Sequence, residues 1–488
     1  MTHRALAVDL GAGSGRVILG TLVDGLLRLD EIHRFANEPI LIHGRLWWDA
    51  LGIYREILTG IRLAMNRDNP PSSVAVDTWG VDFGLLDAQG RLLQNPVCYR
   101  DARTDGLAVR AAELCSQETL FRETGLPLLF FNTSLQLMAL NGQDPGIAAL
   151  TGRLLFMPDL FHYFLTGEAR AERTIAGTSQ LLGPGGWSST VFQRLGLGGW
   201  LAKMPPVIEP GTVVGPVLPE VLGGSAPLEV IAVAGHDTES ALAALPGDAA
   251  AFISCGTWAL MGIMTPEPRL DAEALAAGFS NEAAWGGYAF LRNIMGLWLA
   301  QEAKKTWERT AGPLDWNDLY REAERAPAFA AFIDVDDADF VAPGDLPRRI
   351  AAFCRRTGQN PPDSPGAVLR CIYENLAFRF RETWDLLQKR SIEPPRRIQL
   401  IGGGSRVAML CRFAANACGV EVEAGPVEAS AAGNLLVQFH ARGLVKREDV
   451  GGVVRRSMGT ELYRPQNQEL WNQAYQRRAQ CFTESPRA

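Results

Sequence analysis

A glycine-rich loop that joins two β-strands, rather than a strand and a helix, limits most strongly what this chain can fold into. An apolar segment, ALAVDLG, ends near Asp9; the loop GAGSGR follows, and the β-rich segment RVILGTLV comes at once. A mononucleotide-binding P-loop needs GxxxxGK[ST], and no lysine stands here. A dinucleotide-binding turn needs GxGxxG at the start of a helix. The sequence therefore predicts a hairpin and disfavours both of those folds.

The loop from Gly11 to Arg16 has the composition of a polyphosphate cradle. Its small residues leave backbone N–H groups unobstructed, and Arg16 adds positive charge. Asp9 beside a phosphate would be repulsive unless a divalent cation lay between them. Asp9 is thus a candidate Mg²⁺ ligand, directly or through water. A glycine-rich β-turn without a ligand is the alternative interpretation.

The plan of a strand, a small-residue turn and a second strand recurs in the second half of the chain. Residues 250–264 read AAFISCGTWALMGIM, and GYAFLRNIM follows as a third strand, as LLRLDEIHRF does in the first half. Internal duplication explains this economically. The second turn offers the hydroxyl of Thr257. We therefore predict two domains, residues 1–245 and 246–488, with a boundary near Pro246-Gly247.

Three further segments have a clear local pattern. The stretch 48–65 predicts an amphipathic helix with Leu51, Tyr54, Ile57, Leu58 and Ile61 on one face. SVAVDTWGVDFGLLD predicts a buried strand that is interrupted at Thr78-Trp79-Gly80 and then continues. RRIQLIGGGSRVAMLCRFAANACGVEV predicts a strand, a helix and a short strand. The glycines 402–404 would admit a flat group such as an adenine, or would let the helix start against the sheet.

Composition places the chain among ordinary globular proteins. Its 488 residues exceed what one core supports, 47% are hydrophobic and 21% are charged. A net charge of −7 without a basic stripe disfavours a nucleic-acid partner. No apolar run reaches the ~20 residues of a membrane span, and eight scattered cysteines suit a reducing compartment. We expect a cytoplasmic protein with no nucleic-acid or membrane partner.

The segments AVDLGAGSGR, DTWGVDF, GHDTESA, SCGTW and LIGGG, in this order, resemble the FGGY family of carbohydrate kinases in the actin-like ATPase superfamily. Within that family, YRDARTDG, LRNIMGLWLAQ and AGPVEAS are most similar to rhamnulokinases. The resemblance implies an α/β fold of two ribonuclease-H-like domains with an interdomain cleft. Residues 1–245 would bind sugar and phosphate, and residues 246–488 would bind the nucleotide.

The resemblance also implies a reaction, which is ATP- and Mg²⁺-dependent phosphorylation of L-rhamnulose at its C1 hydroxyl. Asp237 matches the catalytic base, and the sugar-binding positions correspond to Gly80, His236, Asp237, Thr238 and Asn293. The nucleotide-binding positions correspond to Ala12, Gly13, Ser14, Gly15, Arg16, Thr257, Gln301, Gly402 and Gly403. The loop reads GAGSGR where this subgroup more often has GASSGR, which removes one hydroxyl from the cradle.

The chemistry of the residues agrees with that reaction. A sugar hydroxyl is a poor nucleophile, so phosphoryl transfer to it needs a carboxylate base as well as Mg²⁺. Asp237 begins a predicted helix, where the dipole favours its ionised form; its alternative role is a helix N-cap. Trp79 would face the sugar or fill the core, and Asn293 would bond a sugar hydroxyl or a backbone carbonyl. Two alternatives would share these residues. One is a kinase of a related ketose such as L-fuculose, and the other is a non-catalytic sugar or nucleotide sensor.

Overall fold

The computed structural model describes residues 2–223, 226–245 and 250–483. The strands are β1 (Thr2–Leu10), β2 (Ser14–Val23), β3 (Leu26–Ala36), β4 (Ile40–Ile42), β5 (Arg45–Trp47), β6 (Ser73–Thr78), β7 (Phe83–Leu86), β8 (Leu92–Gln94), β9 (Arg153–Phe156), β10 (Ala171–Glu172), β11 (Leu182–Gly183), β12 (Gly186–Trp187), β13 (Val207–Ile208), β14 (Val213–Pro216), β15 (Glu229–Ile231), β16 (Ala251–Cys255), β17 (Trp258–Thr265), β18 (Ser280–Ala284), β19 (Gly287–Met295), β20 (Ile398–Ile401), β21 (Val422–Ala424) and β22 (Glu461–Tyr463).

The α-helices are α1 (Ala50–Met65), α2 (Leu107–Leu114), α3 (Gln117–Thr124), α4 (Thr133–Gln143), α5 (Pro145–Leu150), α6 (Met157–Thr166), α7 (Arg173–Gly177), α8 (Ser189–Arg194), α9 (Pro219–Leu222), α10 (Asp237–Ala243), α11 (Ala272–Ala276), α12 (Trp298–Ala311), α13 (Trp316–Arg325), α14 (Leu346–Arg356), α15 (Pro365–Arg390), α16 (Ala408–Cys418), α17 (Ala429–Ala441), α18 (Val450–Ser457) and α19 (Gln468–Thr483). None of the helices in the described ranges is long and apolar enough to cross a membrane.

The chain divides into two compact units that are not two continuous halves. The first unit contains residues 1–247, 264–290 and 428–458, and the second contains residues 248–263, 291–427 and 459–488. The domain boundary predicted between 245 and 246 stays a prediction, and Pro246-Gly247 lies outside the described residues.

A six-stranded sheet forms the centre of the first unit, in the order β14-β15-β6-β1-β2-β3. Side chains alternate across β1, as they must in a strand. Leu6, Val8 and Leu10 pack with residues of α1 and α6 on one face. Ala5 and Ala7 pack on the other face with residues of α17 and α18. Both faces are therefore covered by helices.

The predicted opening hairpin is confirmed. β1 pairs antiparallel with β2, and Asp9 lies opposite Arg16. Asp24 and Gly25 both have positive φ, of 50° and 74°, as the turn between β2 and β3 requires. The chain then returns through α1 to β6, which lies parallel to β1 with Asp77 beside Asp9.

Two of the sequence predictions in the first unit need correction. Leu51 is 59% exposed, because the buried face of α1 contains Ile53, Ile57 and Ile61 instead. The strand predicted to continue after Gly80 is a separate element, since β7 pairs with β8 and β9 in a three-stranded sheet. The interruption at residues 78–82 is thus where the chain leaves one sheet for another.

The second unit repeats the hairpin plan, as the sequence predicts. β16 pairs antiparallel with β17 and parallel with β20. β20 pairs parallel with β21 around α16, which confirms the predicted strand–helix–strand unit. β22 closes the edge by pairing antiparallel with β21.

Candidate active site

The loop between β1 and β2 is held open by its own hydrogen bonds and by Asn37. The Gly11 amide donates to the Ser14 carbonyl at 2.9 Å, and the Asn37 side-chain amide donates to the Gly11 carbonyl at 2.8 Å. A Cβ at Gly13 would meet nothing within 4 Å, whereas one at Gly15 would lie 2.3 Å from the Phe35 ring. Gly13 therefore faces open space, and Gly15 is required by packing.

Arg16 bridges two carboxylates in the first unit. Its guanidinium donates to Asp9 and to Glu428, and the Ser430 hydroxyl donates to Asp9 at 2.8 Å. Burial alone would lower the pKa of Arg16, but the two carboxylates outweigh burial and raise it. The Arg16 guanidinium, which the sequence predicts to contact a phosphate, thus already forms ion pairs with Asp9 and Glu428.

Asp9 and Asp77 lie side by side on neighbouring parallel strands. Asp77 is fully buried; its Oδ2 accepts from the Asn434 amide at 2.6 Å, while its Oδ1 has no partner among the described residues. Burial raises the pKa of Asp77 well above its usual value, and the charge of Asp9 adds to that rise. Carboxylate oxygens are the ligands that Mg²⁺ prefers, so these residues fit a divalent cation.

Asp237 is the first residue of α10, and His236 occupies the capping position without a side-chain cap. The interpretation of Asp237 as the N-cap is therefore wrong. Its Oδ1 accepts from the Thr238 amide at 2.6 Å, and the side chain is 33% exposed. Partial removal from water raises the pKa of Asp237, while His236 lowers it and Asp9 raises it. Asp237 is thus an accessible carboxylate whose charge is influenced by both neighbours.

The segment before Asp237 is fixed by Glu172, a residue that the sequence analysis missed. Its carboxylate is buried and accepts from the amides of Gly235 at 2.8 Å and Thr174 at 2.8 Å. The Gly235 carbonyl accepts from the Thr78 amide at 2.8 Å, which ties the start of α10 to the end of β6. Burial raises the pKa of Glu172 to about 7.

Gly80 and His236 come together although 156 residues separate them. A Cβ at Gly80 would lie 3.4 Å from His236 Nε2 and 3.3 Å from the Thr178 side chain. The same Nε2 lies 3.6 Å from Asp237 Oδ1. Gly80, His236, Asp237 and Thr238, all predicted to contact sugar, therefore form one cluster in the first unit. Thr178 belongs to it and carries no sequence signal.

A buried carboxylate, Asp82, supports the loop that carries Gly80. Its Oδ2 accepts from the indole N–H groups of Trp48 at 2.6 Å and Trp79 at 2.9 Å, and from the Tyr99 amide at 3.1 Å. Trp79 is 5% exposed and packs 4.3 Å from Trp48, so it fills the core rather than facing a sugar. Burial raises the pKa of Asp82 to about 6.

Val81, next to Gly80, has a φ of 68°, which is rare for a β-branched residue. Its amide donates to Thr178 at 3.0 Å, and its carbonyl accepts from Thr133 at 2.6 Å and Gln136 at 3.3 Å. Strained backbone of this kind persists where surrounding contacts over-determine it, and it clusters at functional sites. No local sequence signal indicates this conformation.

In the second unit, two of the predicted residues, Thr257 and Gln301, lie on adjacent elements. The Thr257 carbonyl accepts from the amides of Gly296 at 3.1 Å and Trp298 at 3.3 Å, where α12 begins, and Gln301 is exposed on the first turn of that helix. Asn293 is half-buried on β19. The turn at Thr257 and the helix carrying Gln301 are therefore adjacent.

The glycines after β20 pack against the end of β16. Gly402 has a φ of 78°, and a Cβ there would lie 3.1 Å from the Cys255 carbonyl. A Cβ at Gly404 would lie 2.5 Å from Cys255 Cβ, whereas Gly403 has only distant neighbours, at 3.8 Å. Gly402 and Gly404 are thus required by conformation and packing, and Gly403 is the open position of the three.

Comparison with known proteins extends over nearly the whole chain. The chain is 38% identical to a rhamnulokinase of Bacteroides thetaiotaomicron over 489 residues, covering 97% of this chain and 98% of that protein. It is also 38% identical to a rhamnulokinase of Enterococcus faecalis, covering 94% and 93%.

Solved structures confirm the predicted α/β fold of two ribonuclease-H-like domains. A xylulose kinase from Lactobacillus acidophilus has a TM-score of 0.79 at 15% identity, covering 99% of this chain and 98% of that one. Glycerol kinase of Plasmodium falciparum with ADP has a TM-score of 0.79 at 13% identity, covering 100% and 99%. Residues 5–244 match the N-terminal domain and residues 251–442 the C-terminal domain of one family, so this chain belongs to the FGGY family of carbohydrate kinases.

Proposed function

We propose that this kinase transfers the γ-phosphoryl group of ATP to the C1 hydroxyl of L-rhamnulose, with Asp237 as the base. The observation that carries the proposal is the accessible carboxylate of Asp237 beside Gly80 and His236, with Asp9 close enough to influence its pKa. The rhamnulokinases that are 38% identical over most of their length support L-rhamnulose as the sugar.

Asp237 would accept the proton of the attacking hydroxyl at a distance of about 2.6–3.2 Å. General-base catalysis of this kind contributes roughly 10²–10⁴-fold to the rate. His236 and Thr238 lie on either side of Asp237, and Gly80 leaves room opposite His236 Nε2. We infer that these residues orient the sugar, together with Asn293.

We further propose that Asp9 holds Mg²⁺ through water, with the Asp77 carboxylate beside it. Bound Mg²⁺ neutralises charge on the β- and γ-phosphates during phosphoryl transfer. The nucleotide would contact the backbone of Ala12, Gly13, Ser14 and Gly15, the side chain of Arg16, and Thr257, Gln301, Gly402 and Gly403. Because Arg16 is engaged by Asp9 and Glu428, it would share its guanidinium with the phosphate.

The test is ATP-dependent phosphorylation of L-rhamnulose, L-fuculose and other ketoses, with ADP release and ³¹P NMR of the product as readouts. We expect L-rhamnulose to give the highest kcat/KM and Asp237→Asn to reduce its kcat at least 10²-fold. Asp30→Asn is the control, since the Asp30 side chain is 56% exposed. Preference for another ketose would overturn the assigned substrate. ATP binding without phosphorylation of any sugar would overturn the kinase assignment in favour of a sensor.

A further inference from the structure

Three ionisable side chains beside Asp237 form a largely buried cluster, and the proposed reaction uses only one of them, His236. They are His236 and Glu239 at the start of α10 and Glu282 on β18, and one ligand atom from each lies within 4.8 Å of the others. Glu239 is 0% exposed and Glu282 is 7% exposed. Both Glu239 oxygens lack a hydrogen-bond partner among the described residues, and His236 Nδ1 and Glu282 Oε2 approach each other without forming a well-aligned hydrogen bond.

The His236 ring also belongs to the cluster of Gly80, Asp237 and Thr238 that is predicted to contact the sugar, so it connects the two clusters. Its Nδ1 lies 3.2 Å from Glu282 Oε2. Its other nitrogen, Nε2, lies 3.6 Å from Asp237 Oδ1, and a Cβ at Gly80 would lie 3.4 Å from it. The ring is thus held between a carboxylate at one nitrogen and the site of the reacting hydroxyl at the other.

Among the acidic groups that face His236, Glu282 is the one placed to accept from Nδ1. The oxygens of Glu172 are filled by the Thr174, Ile175 and Gly235 donors. Asp237 faces Nε2 instead. Burial raises the pKa of Glu239 well above its usual value, and the charge of Glu282 adds to that rise, which favours the uncharged form of Glu239. Burial lowers the pKa of His236, but the adjacent Glu282 carboxylate outweighs burial and raises it.

We propose that Glu282 is a positioning residue that accepts a hydrogen bond from the Nδ1–H of His236 and keeps the imidazole doubly protonated. The Nε2–H of His236 then donates to an oxygen of the sugar, beside the hydroxyl that Asp237 activates. This inference rests on the proposed function for the identity of the acceptor. A charged donor at this point selects a sugar with an oxygen acceptor there, because a buried donor without a partner is costly.

The direct test is NMR of the His236 ring in the full-length protein without sugar, assigned by comparison with His236→Gln. The chain has only six histidines, which keeps the spectrum simple. We expect His236 to be doubly protonated at pH 7 in the wild type and singly protonated in Glu282→Gln. Glu282→Asp should restore part of the doubly protonated form. Because no sugar is present, this result does not depend on the proposed substrate.

Kinetics supply the second readout. A hydrogen bond to a charged group contributes about 1.5–3 kcal/mol, so Glu282→Gln should raise the KM for the sugar roughly 10- to 100-fold while the KM for ATP stays constant. The matched control is Glu239→Gln, the same change in the same cluster, which should leave the His236 protonation as it is in the wild type. An unchanged melting temperature in both variants would show that they fold.

Three results would overturn the proposal. The first is a His236 ring that titrates identically in the wild type and Glu282→Gln. The second is a larger change in Glu239→Gln than in Glu282→Gln. The third is stoichiometric uptake of Zn²⁺ alone by metal-free wild-type protein that is lost in Glu239→Gln, since the cluster would then be a metal site.

Discussion

At the scale of single residues, the environment of Asp237, the proposed base, should set the pH dependence of kcat. A base must be ionised to act, and partial burial raises the pKa of Asp237 above the ordinary 3.8, while the His236 charge lowers it. We therefore expect kcat to fall on the acid side with a midpoint above that ordinary value. His236→Gln should move the midpoint to still higher pH, because it removes a cation. A profile of kcat from pH 4 to 8 checks both, and a midpoint that falls in His236→Gln would contradict the prediction.

Loss of Asp82 should disturb the cluster of Gly80, His236, Asp237 and Thr238, although Asp82 is not itself predicted to contact the sugar. Removal of its carboxylate would leave the N–H donors of Trp48, Trp79 and Tyr99 without an acceptor. Buried donors without partners cost about 1–3 kcal/mol each, so Asp82→Ala should lower the free energy of unfolding by about 3 kcal/mol or more. The KM for the sugar should rise through displacement of Gly80, while the KM for ATP holds. Asp30→Ala is the control, since the Asp30 side chain is 56% exposed. Urea unfolding with steady-state kinetics is the measurement.

At the scale of elements, α10 and α17 approach so closely that one glycine permits the contact. A Cβ at Gly433 on α17 would lie 1.7 Å from the Ser240 carbonyl oxygen on α10. Alanine is favoured over glycine in helices by about 1 kcal/mol, but this clash is with backbone and outweighs that gain. Gly433→Ala should therefore lower stability and, because α10 carries Asp237, reduce kcat.

The matched control for that substitution is Gly142→Ala on α4. A Cβ at Gly142 would meet nothing within 4 Å, so this change should leave kcat as it is and raise stability by up to about 1 kcal/mol. Thermal unfolding and kcat of the two variants give the comparison. Equal effects of the two substitutions would show that the contact between α10 and α17 does not constrain Asp237.

The elements themselves were largely predictable, because hydrophobic periodicity and glycine turns are local signals. β1, β2, β3 and the unit β20–α16–β21 lie where the sequence predicts them. The side chains that support the site were not predictable, since their role depends on partners that are distant in sequence. Glu282 lies 46 residues from His236 in the sequence. Asp82 is a buried acceptor only because the fold brings the N–H donors of Trp48 and Tyr99 to its carboxylate. The prediction that Leu51 lies on the buried face of α1 is wrong, because periodicity alone does not say which face of the helix is covered.

At the scale of the whole molecule, the first unit is completed by segments far along the chain. Asn434 and Gln438 of α17 donate to Asp77 Oδ2 and to the Leu6 carbonyl, at 2.6 Å and 2.8 Å. Residues of α17 and α18 also cover the face of the sheet that contains Ala5, Ala7 and Ile18. The hydrophobic core around β1 therefore includes residues 428–458, which a division of the sequence at residue 245 would remove.

We accordingly expect a fragment of residues 1–245 to fail to fold on its own, because one face of its central sheet and the Asp77 carboxylate would be exposed. Far-UV and near-UV circular dichroism, with urea unfolding, should show no cooperative transition for this fragment. Co-expression with residues 250–488, which contain α17 and α18, should recover a complex with the cooperative transition of the intact chain. A fragment 1–245 with a native near-UV spectrum would contradict the expectation. It would mean that β1 and β6 are stabilised by α1 and α6 alone, and that α17 adds only the polar contacts around Asp9 and Asp77.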